Sequence, residues 1–600
     1  MMHYKRPLFY FIALLLPILI LGLAELGLRA TGYGNSYPLF IPSQHSSGYI
    51  EPNQQLIQRY FAPGKAPKLS MDTQLVLATK PADSFRIVVQ GGSTAAGFPY
   101  GRWGSLQALL QQRFKRSYPE KNIEVINTAM AAINSYSLLD FQAEIVALQP
   151  DLVLVYTGHN EFLGLLGAGS ALSVASSRGG TLLYLKLRNL RLFQLMQSLL
   201  QTFSPTATAD TDQRSLMAKI AQGADIASES PLYQETLKQF QQNLALLLQG
   251  YQQAQIPVML STLVSNERDL VPFSAIGITD WQALTQQLST SATLPSAVLQ
   301  HKAAYAFVQG LQALQQDDAV AALAWLKQAR DDDSLRFRAP SAFNSIIRSA
   351  AHTYHATLVD TEQLFRQHST NGIVGNSLLL EHVHPTAQGY SLLAEAFYQA
   401  IRQSNMLGGA ISANHAAIPE VDIPLTELDQ RYAALKITNL MRQYPFRQPD
   451  LPPVPFEARD ALDKLVQQRL AGVDWLSTQQ ALIEHYLRQQ DIVNASKAMA
   501  MLADALPFDA LLWRDTGMYY MQLQQLQLAN YYLHHALQLA PGNVRFLLPL
   551  AQLYFMQQRL DDSLLLLQQA KKLAPTDPRI QRFTDKVTQA KVATLSTHKK

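Results

Sequence analysis

The sequence has 600 residues but no cysteine, and charged residues make up only 16% of it. Without cysteine the chain has no cysteine-ligated metal site and no lipobox for a lipid anchor. The net charge is only +4 and the basic residues are scattered, so no nucleic-acid partner is expected. Apolar residues are plentiful, at 48%, so most of the chain can fold. The length exceeds what one hydrophobic core supports, which predicts several domains.

The N-terminus carries an uncharged apolar run over residues 8–24, which Lys5 and Arg6 precede. This length is near the lower limit of about 17 residues for a helix that crosses a bilayer. The basic flank predicts a cytoplasmic N-terminus and a periplasmic bulk, at a bacterial inner membrane. A cleaved signal peptide is the alternative, although no clear small-x-small cleavage site follows the run. The sequence therefore predicts a single-pass signal anchor within residues 1–30.

Two apolar runs rich in β-branched residues, residues 86–90 and 151–156, indicate buried parallel strands. Functional groups in open α/β sheets collect at the carboxyl ends of strands. A polar motif follows each run, and two further motifs complete a set that is spread over nearly half of the chain. In chain order the four motifs are Gly91-Gly92-Ser93-Thr94, Asn127-Thr128-Ala129-Met130-Ala131-Ala132, Gly158-His159-Asn160-Glu161 and Glu381-His382-Val383-His384-Pro385.

The order and content of these motifs resemble the SGNH/GDSL hydrolase family, whose members use a serine to attack esters. The resemblance implies that Ser93 is the nucleophile and His384 the general base. It also implies an oxyanion hole made by the backbone N–H groups of Ser93 and Ala132 and by the Asn160 side chain. Glu381, three residues before the histidine, would orient the imidazole. No cofactor and no metal ion are implied.

Two positions depart from the family pattern. Ala132 stands where the family usually has glycine, and Glu381 stands where it usually has aspartate. The alanine keeps its backbone N–H, and the glutamate keeps a carboxylate on a side chain one methylene longer. Taken singly, each motif also has a structural interpretation, since Gly-Gly-Ser-Thr after a strand is a common turn into a capped helix. The order of all four motifs, with two at strand ends, favours the hydrolase interpretation.

The histidines in these motifs also raise the question of a metal site. His382 and His384 form a His-x-His pair, and His159 lies in another motif. Imidazole is a common metal ligand. No Glu-x-x-His or cysteine set accompanies the pair, so a metal centre is not predicted.

Further apolar runs extend the α/β pattern. Residues 123–126, 256–261 and 357–360 indicate three more strands, with helices over 103–114, 137–148 and 390–401. The sequence therefore predicts a three-layer α/β/α domain with a parallel sheet of about five strands, which is the architecture that the resemblance implies.

Two long gaps between strands predict helical insertions. A leucine-rich stretch at 181–203 is a candidate membrane-surface helix or lid, or else a helix packed on its own domain. Residues 301–330 have small residues at tetratricopeptide-like offsets, which suggests a helical hairpin. Arg336 and Arg338 follow it and are candidates for contact with an anionic substrate, or else members of a solvated loop.

The C-terminal third shows a period of 34 residues, carried by proline, tyrosine and small residues. The repeating positions are Pro507, Pro541 and Pro575; Tyr486, Tyr520 and Tyr554; and Ala495, Ala529 and Ser563. This pattern resembles the tetratricopeptide repeat, in which two antiparallel helices form each unit. The resemblance implies an all-α solenoid of three repeats with a concave surface for a protein or peptide partner, or else a purely structural cap. The polar tail after Pro578 is expected to be disordered.

These patterns divide the chain into six parts. They are a stub and signal anchor (1–30), a connector (31–84), an SGNH-like domain (85–405) with insertions at about 165–250 and 270–345, a proline-rich and partly helical linker (406–473), tetratricopeptide repeats (474–580) and a polar tail (581–600).

Three functions remain open from the sequence. The first is an anchored periplasmic serine hydrolase that cleaves an O-acetyl or acyl ester on a small molecule, lipid or glycan. The second is an O-acetyltransferase that uses the same site on an envelope polysaccharide. The third is an inactive scaffold in an envelope assembly, which Ala132 and Glu381 favour and the intact Ser93, Asn160 and His384 oppose.

Overall fold

The computed structural model describes residues 5–61, 66–118, 121–170, 173, 177–202, 217, 224–288, 294–408 and 423–597. The start of the predicted stub, parts of the connector, of both insertions and of the linker, and the last three residues of the tail lie outside the described residues.

The strands form two sheets. They are β1 (Phe40–Pro42), β2 (Tyr49–Pro52), β3 (Val76–Leu77), β4 (Ser84–Gly91), β5 (Asn122–Asn127), β6 (Leu152–Tyr156), β7 (Val258–Ser261) and β8 (Thr357–Val359). The first three make a small antiparallel sheet within the predicted connector.

The other five strands form the central parallel sheet, in the order β5-β4-β6-β7-β8. All residues of β6 and the last six residues of β4 are buried, because these strands lie inside the sheet with both faces covered. The chain passes from β4 to β5 on one side and then returns to β6 on the other. This reversal places the carboxyl end of β4 at a switch point of the sheet, where α/β proteins bind ligands.

Helices account for most of the remaining chain. The first fourteen are α1 (Lys5–Ala30), α2 (Ser93–Ala96), α3 (Leu106–Ser117), α4 (Ser135–Ala147), α5 (Arg178–Leu187), α6 (Arg191–Thr202), α7 (Pro231–Gln253), α8 (Trp281–Gln287), α9 (Ser296–Gln300), α10 (Lys302–Gln315), α11 (Ala319–Asp331), α12 (Ser341–Thr353), α13 (Thr361–Gln367) and α14 (Ala387–Gln403). The α3 helix packs with α14, while α7 packs with both α4 and α12. The predicted α/β/α architecture with five parallel strands is confirmed.

The α1 helix contains a segment, Phe9–Ala30, that is long and apolar enough to cross a membrane. Its C-terminal end contacts α6, because Glu25 accepts hydrogen bonds from the backbone N–H groups of Arg191 (3.0 Å) and Leu192 (2.8 Å). The stretch predicted as one helix over 181–203 is thus two helices, α5 and α6, and the second is capped by the N-terminal segment.

The second insertion contains the predicted helical hairpin. Its two helices, α10 and α11, pack closely where Gly310 faces Leu326, and a Cβ atom at Gly310 would lie 2.5 Å from Leu326 Cγ. The tight turn between the helices places Asp317 at a positive φ of 57°.

The C-terminal region is all-helical. Its helices are α15 (Glu427–Leu440), α16 (Ala461–Leu470), α17 (Trp475–Arg488), α18 (Ile492–Ala505), α19 (Ala510–Gln522), α20 (Leu526–Leu539), α21 (Val544–Met556), α22 (Leu560–Leu573) and α23 (Pro578–Thr597). The six helices α17–α22 pair into three antiparallel hairpins. The expectation of a disordered tail is wrong for the described residues: α23 packs on α22, with Ile580 and Val587 buried in the repeat core.

The repeats dock on the α/β domain through α3. Lys115 is buried and forms an ion pair with Asp504 at the end of α18. Trp103 stacks on Trp475, with ring centroids 5.1 Å apart. The two domains therefore share an interface with both an apolar and a charged component.

Candidate active site

Ser93 lies two residues beyond β4, at the first position of α2, and is partly exposed. Two glycines allow the chain to turn here. A Cβ atom at Gly91 would lie 2.3 Å from the Tyr156 carbonyl oxygen, and one at Gly92 would lie 2.8 Å from the Asn160 side-chain nitrogen. The glycines thus let the serine loop approach β6 and the loop that follows it.

His384 faces Ser93 from a loop before α14. The Ser93 hydroxyl lies 2.7 Å from His384 Nε2, and His384 Nδ1 contacts the Glu381 carboxylate. With the proton on Nδ1, Nε2 accepts the hydrogen bond of the serine hydroxyl. The sequence-predicted Ser93, His384 and Glu381 therefore form a continuous hydrogen-bonded chain.

The Glu381 carboxylate is held by its own loop. One oxygen accepts from the His384 backbone N–H at 3.0 Å, and the other accepts from the His382 backbone N–H at 2.6 Å. The second oxygen also contacts His382 Nδ1. The extra methylene of glutamate is accommodated because the side chain folds back over these amides, so the carboxylate still reaches the imidazole.

The environment favours a neutral imidazole at His384. Burial lowers the pKa of His384, and the ammonium of Lys436 acts in the same direction. At neutral pH the imidazole is therefore in the neutral form, which is the form that can accept a proton from serine.

The two remaining predicted site residues lie in loops that meet next to Ser93. Asn160 follows β6 and donates from its side chain to the Ile133 carbonyl at 2.9 Å. Ala132 adopts a left-handed conformation with φ 64°. Gly164 lets the loops touch, since a Cβ atom there would lie 2.6 Å from the Ala132 carbonyl oxygen and 2.5 Å from Asn160 Cβ.

Glu161 ties the same two loops together. Its carboxylate accepts from the Ser135 backbone N–H (2.8 Å) and hydroxyl (2.7 Å), at the start of α4. Burial raises the pKa of Glu161 to about 7. The sequence motif contains this residue, but only the structure gives it a positioning role.

Arg336 and Arg338, the candidate substrate contacts, are buried and make bonds to protein atoms. Arg336 donates to the Ile226 carbonyl (2.8 Å) and Arg338 forms an ion pair with Asp333 (3.0 Å). Their guanidinium groups stabilise the insertion, so the structure corrects the expectation that they meet a substrate.

The other motif histidines lie close to His384. Burial lowers the pKa of His159 to about 3 and lowers the pKa of His382 well below its ordinary value. Glu381, His382 and His384 have potential ligand atoms within 4.8 Å of one another, so together they could hold a metal ion. Such an ion would compete with Ser93 for the histidine and carboxylate that it contacts here.

Three residues that pack around the histidines lie outside the four sequence motifs, so the motifs did not predict them. The Phe98 ring centroid lies 4.5 Å from that of His384, and the Phe446 centroid lies 5.5 Å from that of His382. Lys436, on α15, lies over Phe98 at 5.0 Å from its centroid. Two of the three come from the predicted linker, whose only sequence signal was its partly helical pattern.

Comparisons with known proteins agree with parts of this description. A tetratricopeptide repeat family model matches residues 520–587. No curated protein sequence matches the chain. Among solved structures, the chain is similar to a psychrotrophic esterase, EstA, from a Pseudoalteromonas species, with 13% identity, coverage of 53% of this chain and 97% of the esterase, and a TM-score of 0.24.

Two further solved structures show similarity. A GDSL-like lipase from Bacteroides thetaiotaomicron matches with 12% identity, over 53% of this chain and 88% of the lipase, with a TM-score of 0.25. The first tetratricopeptide repeat domain of Spaghetti, bound to an HSP90 peptide, matches with 17% identity, over 20% of this chain and 93% of that domain, with a TM-score of 0.18. The family model and the paired helices identify the C-terminal region as a tetratricopeptide repeat module.

Proposed function

We propose that this protein is a serine hydrolase that cleaves O-acetyl or acyl esters. The observation that carries the proposal is the hydrogen-bonded chain from Ser93 through His384 to Glu381. Serine is a weak nucleophile until an adjacent base removes its proton, and this arrangement supplies a base with its orienting carboxylate.

The proposed reaction has two halves. Ser93 Oγ attacks the ester carbonyl carbon as its proton passes to His384 Nε2, and a tetrahedral intermediate forms. The bond to the alcohol oxygen then breaks, and His384 returns the proton to the departing alcohol, leaving an acyl-serine. Water attacks this acyl group, gives its proton to His384 and releases the acid, while Ser93 regains a proton.

The developing oxyanion needs donors, each of which contributes about 3–4 kcal/mol in hydrolases of this type. We assign this role to the backbone N–H groups of Ser93 and Ala132 and to the Asn160 side chain. Support comes from the close approach of Asn160 to Gly92 and from the contact of the Ala132 loop with the Asn160 loop.

We also propose that α1 anchors the protein in a bacterial inner membrane with its bulk in the periplasm. The exposed apolar side chains of α1 and the basic residues Lys5 and Arg6, which precede the apolar run, support this orientation. The repeats would then recruit a protein or peptide partner. In support, a groove of about 800 Å³ lies between α19 and α21, and Arg514, Arg545 and the exposed Met518 line it.

Steady-state hydrolysis of aryl acetates by the full chain in detergent tests the proposal. We expect Ser93→Ala and His384→Gln to lower kcat/KM by about 1,000-fold or more. The exposed Ser345→Ala and His368→Gln changes are matched controls that leave activity intact. Equal turnover by Ser93→Ala and the parent would refute a role for this site. Acetyl transfer only to an added polysaccharide, without release of acetate, would assign the site to a transferase.

A further inference from the structure

The helix α15 forms part of the wall of the candidate active site, although it lies in the segment between the two domains. Leu428 is buried against the first repeat, while Leu425 and Phe446, on either side of the helix, are buried in the α/β core. Between these anchors, Lys436 and Tyr432 lie one turn apart on α15, on the side that faces Phe98.

Phe98 connects this helix to the catalytic histidine. The Lys436 ammonium lies 5.0 Å from the Phe98 ring centroid, and the His384 ring lies 4.5 Å from the same centroid. The ammonium also donates to the Pro99 carbonyl at 3.3 Å. Lys436 and His384 therefore both contact the ring of Phe98, which is partly exposed.

The charge of Lys436 is not neutralised by a direct partner. The ammonium forms no ion pair with any carboxylate of the described residues. Asp72 is the acidic group close enough to act on it electrostatically. Lys436 remains partly exposed, so its positive charge lies at the rim of the site without an ion-pair partner among the described residues.

Because Lys436 lies beside His384, its charge would contact a particular part of a substrate. His384 must protonate the departing alcohol, so the alcohol oxygen has to lie against Nε2. Groups beside His384 therefore contact the alcohol part of the substrate rather than its acyl chain.

We propose that Lys436 is a specificity residue that selects esters whose alcohol part carries a carboxylate, phosphate or sulfate group. This inference rests on the proposed hydrolase function and names its substrate class: an acyl or acetyl ester of an anionic alcohol. Phe98 supplies the apolar floor, and Lys436 supplies the charge that holds the anionic group above it. An ammonium suits this task because it pairs with anions without demanding a fixed planar geometry.

The test compares two acetyl esters that differ only in the charge of the alcohol. The substrates are 3-acetoxybenzoate, whose leaving group is anionic, and the neutral 3-acetoxybenzamide. The measured quantity is the ratio of kcat/KM for the anionic ester to that for the neutral ester. Lys436→Met should lower this ratio about tenfold, because the charge is lost while an unbranched apolar side chain remains. Lys436→Arg should retain most of the ratio.

Three controls make the result specific. Lys464→Met removes an exposed lysine from the neighbouring α16 and should leave the ratio unchanged. Added salt should lower the parent ratio toward that of Lys436→Met, since screening weakens a charge effect at an exposed site. When the charge lies on the acyl part instead, the ratio of kcat/KM for phenyl succinate to that for phenyl butyrate should change little in Lys436→Met.

The outcomes separate this inference from the function on which it rests. If Lys436→Met lowers turnover of both acetyl esters equally, Lys436 only holds α15 in place and the inference fails, while the hydrolase proposal stands. The inference also fails if Lys436→Met changes the ratio for the esters charged on the acyl part more than the ratio for the esters charged on the alcohol part. If the parent protein turns over neither the anionic nor the neutral ester, the hydrolase proposal fails and the inference fails with it.

Discussion

Ala132 adopts a left-handed backbone conformation, with φ 64°, in which an alanine side chain is strained by about 1 kcal/mol or more. Ala132→Gly removes the Cβ atom responsible and keeps the backbone N–H. We expect a net stabilisation of about 0.5–1 kcal/mol, after the greater flexibility of the unfolded glycine chain is subtracted, and intact esterase activity. The shift in thermal unfolding of the full chain measures the first effect.

The neighbouring Ala131 provides a control for this prediction. Its φ is not positive, so Ala131→Gly gains no relief of strain and should destabilise the protein by several tenths of a kcal/mol. Equal loss of stability in both variants would show that the turn at Ala132 does not carry the strain that its backbone angle implies.

The buried histidine predicts a particular pH dependence. Because burial and Lys436 both lower the pKa of His384, the imidazole stays neutral as the pH falls through 6.5, its ordinary pKa. Activity should therefore persist at pH 6.5 and fall only in more acidic solution. A kcat/KM profile whose acid limb has its midpoint above pH 6.5 would contradict this environment.

Folding stability is also expected to fall as the pH is lowered, so the fold must be monitored while the pH profile of kcat/KM is measured. His159, His382 and His384 all have lowered pKa values, so the unfolded chain binds protons before the folded one does. Their contribution is fully present above pH 6.5 and is lost as the pH falls below it. Circular dichroism at each pH distinguishes loss of the fold from protonation of the base.

Site residues could be predicted from the sequence where they belong to a local motif. Ser93 and Asn160 lie two and four residues after strands that are buried on both faces, so sequence order was enough to place them near one another. Phe98 and Lys436 were not predictable, because their contact joins positions separated by more than 300 residues and depends on how the linker helix packs. Arg336 and Arg338 failed as substrate contacts because both are buried. Arg338 pairs with the nearby Asp333, but the bonds of Arg336 to Ile226 and of Arg338 to Asn266 join distant segments that a local charge pattern does not reveal.

At the scale of elements, two helical hairpins use the same close approach. In the insertion, a Cβ atom at Gly310 would lie 2.5 Å from Leu326 Cγ, and in the repeats one at Gly517 would lie 2.7 Å from Leu533 Cγ. We expect Gly310→Ala and Gly517→Ala each to destabilise the protein by about 1–3 kcal/mol, because the paired helices must move apart. Thermal unfolding measures both.

A glycine in a helix with open space around it is the matched control. Gly179 lies in α5, and a Cβ atom there would meet nothing within 4 Å. Gly179→Ala should therefore stabilise by up to about 1 kcal/mol through helix propensity alone. Stabilisation by all three alanines would refute close packing at the two hairpins.

Strands and helices were predictable where apolar or small residues recur at regular intervals in the sequence. The five parallel strands and the repeat helices follow regular apolar patterns, and the hairpin at α10 and α11 follows the small-residue spacing of the repeats. The helix α23 was missed because its surface is mostly polar and only a few residues, among them Ile580 and Val587, pack against the last repeat. Likewise, prolines in the linker concealed that α15 packs between two cores.

At the scale of the whole molecule, one buried ion pair joins the two domains. The Lys115 side chain is 1% exposed and that of Asp504 is 19% exposed. Lys115→Met leaves the carboxylate largely buried without its partner, so we expect the interface to weaken by about 3 kcal/mol. Faster amide hydrogen exchange in α3 (Leu106–Ser117), at the docking surface, measures this loss.

An exposed pair supplies the contrast. Lys591 and Asp561 form an ion pair with side chains 39% and 80% exposed, so Lys591→Met should cost well under 1 kcal/mol. In addition, the double change Lys115→Met with Asp504→Leu should recover part of the lost protection. If α3 exchanges no faster in Lys115→Met than in the parent, the domains are not held together by this pair.

Covalent labelling of the full chain by a fluorophosphonate, followed by peptide mapping, is the most direct test of whether Ser93 is the nucleophile and His384 its base. We expect one adduct, on Ser93, that Ser93→Ala abolishes and that His384→Ala slows strongly, while Ser345→Ala leaves it unchanged. Two results would contradict the assignment of Ser93 as the nucleophile and His384 as its base. One is a folded protein that forms no adduct and hydrolyses no aryl acetate, and the other is an adduct on another serine.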